Sequence, residues 1–217
     1  MDGIARVALF RNVSITQSQA AIHNLQARLI PTIRQQAGFA VGAWASTEAY
    51  DTGLSFSVFS NNSSAQAADI AINSTALLAG QNGEDIPSPT EVYNCENVAP
   101  IDTGKMPTIV RLAFLGKAAN PEEAEIERRW ATDEFVPFLQ QLSGLCLAFM
   151  LLDSTSQTRI SLSFWENVEA MQHSGEAIGK WSHNQVQQGR RGAYTPIEAL
   201  VFPFIVDVVR GETVSSR

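Results

Sequence analysis

The chain is poor in the residues that announce metal, redox or membrane chemistry. It has two cysteines, Cys95 and Cys146, in 217 residues. They are too few and too far apart for a zinc site, a redox pair or a disulfide framework, and both read as reduced packing residues. Three histidines, His23, His173 and His183, are spread too widely to declare a metal site. No apolar run approaches the roughly 18 residues of a membrane span. The stretch MDGIARVALFRN puts an acid before a short apolar run, which does not read as a secretory leader. Positive charge is scarce: the formal net charge is −7, and Arg128–Arg129 and Arg190–Arg191 are the only compact basic pairs. That argues against a nucleic-acid or anionic-membrane partner, because both reward a basic patch. No glycine-rich phosphate loop and no nucleophile elbow occurs. The expectation is a soluble, cytoplasmic protein. With 45% hydrophobic residues it has ample material for a core.

What the chain does have is a sentence written twice. IARVALF from residue 4 aligns with IVRLAFL from residue 109, pairing Arg6 with Arg111 at an offset of 105. Pro31 then aligns with Pro137, Gly38 with Gly144, and GLSFSVFSN from residue 53 with RISLSFWEN from residue 159, all at an offset of 106. An internal repeat of this length sets the fold before any local reading. Each copy reads as strand, amphipathic helix, strand, hairpin, strand, helix, strand. The helices are expected near 17–37 and 121–142, then 63–80 and 167–187; the last strands near 90–96 and 197–208. This β-α-β-β-α-β order is ferredoxin-like. The predicted fold class is α+β: two tandem ferredoxin-like halves, 1–100 and 107–217, facing each other as a dimeric-type α+β barrel. The turn-rich stretch NVAPIDTGKMP joins them. The barrel closes within one chain, or each half pairs with another chain in a homodimer.

Side chains alternate along a strand. Leu54, Phe56 and Val58 oppose Ser55, Ser57 and Phe59; Ile160, Leu162 and Phe164 oppose Ser161, Ser163 and Trp165. The apolar sets are expected to pack on the helices of their own half. The serine-and-aromatic sets are then expected to line the barrel interior, where placed polar groups on an apolar wall suit a ligand better than a filled core.

The stretch SFWENVEAM, with Trp165, Glu166, Asn167, Glu169, Ala170 and Met171, resembles the strand-to-helix signature of the antibiotic-biosynthesis monooxygenase family of dimeric α+β barrels. The first copy departs from it, with Phe59 for the tryptophan and SNNSSAQA following. The resemblance implies a small-molecule enzyme. Some family members oxidise polycyclic phenols to quinones with O₂ and no cofactor. Others cleave haem with an Asn, Trp and His trio. Here that trio is split: Asn12 lies in one half, Trp165 in the other, and His173 sits beside the histidine spacing. The expected function is a cofactor-independent, monooxygenase-like reaction on a hydrophobic aromatic or polyphenolic substrate, with haem left open. The alternatives are a non-redox ligand-binding or cyclase-like barrel, and a structural or stress-associated barrel.

The candidate catalytic residues are Arg111, Trp165 and His173. Trp165 stacks on a flat ligand or packs the interior. Arg111 meets a carboxylate or phenolate or makes an internal ion pair. His173 is an acid or base, or a solvated helix residue. The candidate substrate-binding residues are Arg6, Asn12, Trp44, Ser161, Ser163 and Asn167. Of these, Trp44 also fits the core and Asn167 also fits a helix N-cap. The Glu122–Glu127 run reads as a solvated helix face.

Overall fold

A computed structural model describes residues 3–81 and 87–211. The fold is α+β, and the two halves repeat one order of elements. The first has β1 (Ile4–Arg11), α1 (Ile15–Asn24), a π-helical turn (Leu25–Leu29), α2 (Ile30–Arg34), β2 (Phe39–Ser46), β3 (Thr52–Phe59), α3 (Asn62–Gln81) and β4 (Glu91–Asp102). The second has β5 (Ile109–Lys117), α4 (Pro121–Trp130), a π-helical turn (Ala131–Phe135), α5 (Val136–Leu139), β6 (Leu145–Asp153), β7 (Thr158–Trp165), α6 (Val168–Gln187), β8 (Glu198–Phe202) and β9 (Phe204–Arg210). No helix among the described residues is long and apolar enough to cross a membrane.

The local devices match position for position. Ser14 and Asn120 cap α1 and α4, accepting from the amides of Gln17 and Glu123 at 3.2 and 2.8 Å. Asn61 and Asn167 cap α3 and α6, accepting from the amides of Ser64 and Ala170 at 2.9 and 2.8 Å. Each such cap is worth about 1 kcal/mol. The first helical region of each half is interrupted by its proline. Pro31 and Pro137 have no N–H and crowd the carbonyl four residues back. The wider π turn relieves that crowding: Ile30 N–H reaches Leu25 O, and Val136 N–H reaches Ala131 O. Gly38 and Gly144 both sit at φ 78°. A Cβ there would lie 2.3 Å from Ser60 Oγ or 2.5 Å from Ala170 Cβ, so both conformation and space demand glycine.

The chain divides into two compact units, residues 3–95 with 204–211, and 96–203. The strand order is β4-β1-β3-β2-β9 through the first and β8-β5-β7-β6-β4 through the second. These units differ from a division at 100 and 107. β4 runs on to Asp102 where turns were expected, because Ala99 and Ile101 alternate into the core of the second unit. Pro203 splits the last strand: β8 pairs with β5, and β9 pairs antiparallel with β2.

The two sheet faces are distributed opposite to the sequence expectation. Trp165 packs with Trp130, Phe135 and Leu139 of the helical layer. Phe59 packs with Ile30, Ile33, Ala65 and Ala68. The serine-and-aromatic faces therefore lie under the helices of their own half. Leu112, Ile160, Leu162 and Phe164 are fully buried on the other face. The helices cover the face of small residues because serine and alanine leave room, and that room remains as cavities.

Candidate functional site

Each unit holds a sizeable cavity between its sheet and its helices. The second, of about 250 Å³, has a floor of Arg111, Ala113, Met150, Ser161, Ser163 and Trp165 from β5, β6 and β7. Trp130 and Phe135 stack at 5.1 Å in its helical wall. Gly175 and Gly179, one turn apart on α6, complete that wall. The strands fix the floor: β5 and β7 pair with Arg111 opposite Ser163 and Ala113 opposite Ser161.

The polar groups of this cavity divide into spent and free. Trp165 Nε1 donates to Ser163 Oγ at 3.0 Å, and that hydroxyl points toward the carbonyl of Arg111 at 3.5 Å. Ser182 Oγ accepts from the Ala193 amide at 2.9 Å. The Ser161 hydroxyl, on the cavity floor, has no hydrogen-bond partner among the described residues. Nor does the Arg111 guanidinium have an acidic partner there, and burial pulls its pKa below the usual arginine value. A guanidinium held in a half-dry aromatic cavity with no counter-ion is a standing demand for an anion.

Through Tyr194 this cavity adjoins a buried ionic cluster. Arg159 makes a two-pronged contact with Glu127, both bonds at 2.5 Å, and reaches Glu123 at 3.0 Å. Tyr194 donates to Glu127 Oε1 at 2.5 Å, with the Arg159 guanidinium 4.7 Å above its ring. Arg191 donates to the Tyr194 hydroxyl at 2.8 Å. Burial, then the bond to Glu127, raises the Tyr194 pKa to about 12. Its phenol is thus a fixed donor at neutral pH and no base. Glu127, expected in a solvated run, is buried because Arg159 neutralises it.

The first cavity, of about 210 Å³, shares the matching floor: Arg6, Trp44 and Ser55. Its arginine is not free. Arg6 Nε lies 2.8 Å from Asp69 Oδ1 of α3. The N–H does not point along that line, so the contact is an ion pair rather than a hydrogen bond. Trp44 is fully buried, and its indole N–H has no partner among the described residues. Where the second unit has Glu127 and Arg159, the matching positions are Ala21 and Gly53, and both line the first cavity.

Of the predicted site residues, Arg111, Trp165, Ser161 and Ser163 come together in the second cavity, and Arg6 and Trp44 in the first. The structure does not bring the other three to either. Asn12 is exposed at φ 58°. Asn167 caps α6. His173 is exposed on α6. Sequence reasoning missed Trp130, Gly175, Glu127 and Tyr194. The register between the halves carried the signal for Gly175, since it sets glycine against Asp69.

These residues do not fit a haem iron. His23, His173 and His183 are exposed and line neither cavity. Tyr194 commits its hydroxyl to Glu127, and Met150 has no histidine partner such as methionine-ligated haems use.

No protein-family model and no curated protein sequence matches the chain. Solved structures do. A proposed monooxygenase of Fusobacterium nucleatum superposes at TM-score 0.68 with 10% identity, over 96% of this chain and 94% of the other. A proposed monooxygenase of Lactobacillus acidophilus NCFM gives 0.64 with 13% identity, over 97% of each. An anthrone oxidase-like protein gives 0.59 with 12% identity, over 98% and 95%. At these identities the likeness is one of fold alone, and it runs the length of the chain.

Proposed function

We propose that the protein is a cofactor-independent, monooxygenase-like enzyme that takes a flat phenolic or anthrone-type substrate into the second cavity. The observation that carries this reading is Arg111, an unpaired guanidinium in a cavity walled by Trp130, Phe135 and Trp165. The aromatic walls bind the rings by area and stacking. Arg111 lowers the energy of the phenolate or enolate relative to its neutral form, and Ser161 offers a hydrogen bond to a ring oxygen. No carboxylate or histidine among the described residues lines the cavity, so the substrate proton leaves to water and the substrate itself must be acidic. The carbanion form of such a ring is electron-rich enough to combine with O₂. In the reaction R₂CH₂ + O₂ → R₂C=O + H₂O, one oxygen atom enters the carbonyl and the other leaves as water. The substrate carbon supplies all four electrons, so no external reductant is needed. The expectation of a site inside a barrel is thereby revised to one between a sheet and its own helices.

The test is O₂ uptake with a panel of anthrones and polyphenols. Arg111→Leu should lower kcat/KM by about 10²–10³, the usual cost of losing one oxyanion donor. Its urea midpoint should stay near wild type. Equal turnover in the variant removes Arg111 from the mechanism. The absence of a carboxylate or histidine among the described lining residues also favours a second reading, a ligand-binding module without redox chemistry. Saturable tryptophan quenching with no O₂ uptake by any compound decides for that one.

A further inference from the structure

The two cavities share an arginine and differ in what stands over it. In the first, Asp69 of α3 neutralises Arg6 at 2.8 Å. The register between the halves places Gly175 of α6 at the matching position, and Gly175 lines the second cavity. Strand pairing confirms that the frames agree: Arg6 lies opposite Ser57 and Arg111 opposite Ser163. The helix starts agree too, with Asn61 capping α3 and Asn167 capping α6. The next turn repeats the contrast, Asn73 lining the first cavity and Gly179 the second. A Cβ built on Gly175 or Gly179 meets nothing within 4 Å. Neither glycine has a positive φ, so no backbone conformation or crowding calls for glycine at either position. Each weakens the helix interior relative to alanine.

We infer that the second cavity selects planar aromatic anions, and that one helix position sets this charge selectivity: glycine at 175 leaves Arg111 without a counter-ion, whereas aspartate at 69 supplies one to Arg6. The ligand brings the missing negative charge, as a carboxylate or an ionised phenol. It occupies the space an acidic side chain would fill. The first cavity is then a neutral version of the same pocket. It does not compete for the anionic ligand. The inference deepens the proposed function by naming the charge of its substrate, and it rests on that reading only in taking the second cavity as the ligand site.

The experiment compares 2-naphthoate with its uncharged counterpart 2-naphthamide by isothermal titration calorimetry on the full chain. Wild type should bind naphthoate at one site, at least about tenfold tighter than naphthamide, given the strength of charge-assisted guanidinium–carboxylate hydrogen bonds relative to neutral ones. Gly175→Asp should erase that preference. Gly175→Asn fills the same space without charge and should keep it to within about threefold, which separates charge from bulk. Arg111→Gln should erase it again. Asp69→Gly should add a second naphthoate site. Equal preference in Gly175→Asp and Gly175→Asn overturns the inference, as does wild type that binds both probes alike or neither. Because O₂ plays no part here, the two readings fail separately. Naphthoate selectivity without O₂ uptake by any phenol removes the enzyme and leaves the anion site. O₂ uptake with no anion preference does the reverse.

Discussion

In the first half an arginine on the opening strand is met by an aspartate one layer above, and the space beside Ala21 and Gly53 is hollow. In the second half the matching arginine meets a glycine, and the space matching Ala21 and Gly53 is filled by Glu127 and Arg159. Two nearly identical frames are thus opened at different ends. The lesson is that strand register and helix caps fix the frame, while a handful of helix and strand positions decide where volume and net charge are left over. The second half ends with its ionic pair buried and its free cation in the cavity. The first ends with its arginine cancelled.

The comparison breaks most visibly at Glu127. Both partners of the Glu127–Arg159 contact are about nine-tenths buried. Glu127→Ala leaves the guanidinium with Glu123, about one-third exposed, as its remaining carboxylate, and should cost about 3–5 kcal/mol in urea unfolding, the range for a broken buried pair. A loss below about 1 kcal/mol would show that the cluster behaves like a surface pair and that the halves differ less than their burial says. Tyr194 sharpens the same point by titration. A group whose folded pKa is raised to about 12 favours its protonated form in the folded state. Its stabilisation is present below the unfolded value near 10 and is lost as pH climbs from there through the folded pKa. Ultraviolet titration of the three tyrosines should show one late step, absent in Tyr194→Phe. A late step that survives in this variant overturns the assignment to Tyr194.

The element order, both glycine turns and the Asn167 cap sit where periodicity and the repeated register put them. Ser55 over Ser161 and Pro31 over Pro137 were enough to align the halves. What could not be read was which face the helices cover. Both faces of β3 and β7 are buried, so alternation shows two sets without labelling them. From the sequence, serine reads as a mark of distance from the helices. It marks instead a residue small enough to leave a hole under them. The Glu127–Arg159 pair was hidden for another reason. Glutamates in a row of glutamates read as solvated, and only the fold brings residue 159 to residue 127. Arg191 belongs to a basic pair in the sequence, and only the fold sets it on the Tyr194 ring.

The smallest expected effect is the one that tests whether a free cation is tolerated in this frame at all. Asp69→Ala would leave Arg6 as Arg111 already is, half-buried and without a carboxylate. Asp69 is about one-third exposed and Arg6 less so, and the pair lacks a hydrogen bond along its axis. Such a contact contributes about 0.2–1 kcal/mol, and alanine in a helix interior returns a few tenths. The net change in the urea midpoint should therefore be close to zero. If it is, the arginine costs the fold little whether paired or not, and the glycine over Arg111 was free to serve a ligand. If Asp69→Ala instead destabilises by more than about 2 kcal/mol, the ion pair is part of the first half's structure. The second half must then recover that loss elsewhere, and the Glu127–Arg159 cluster would be where to look for it.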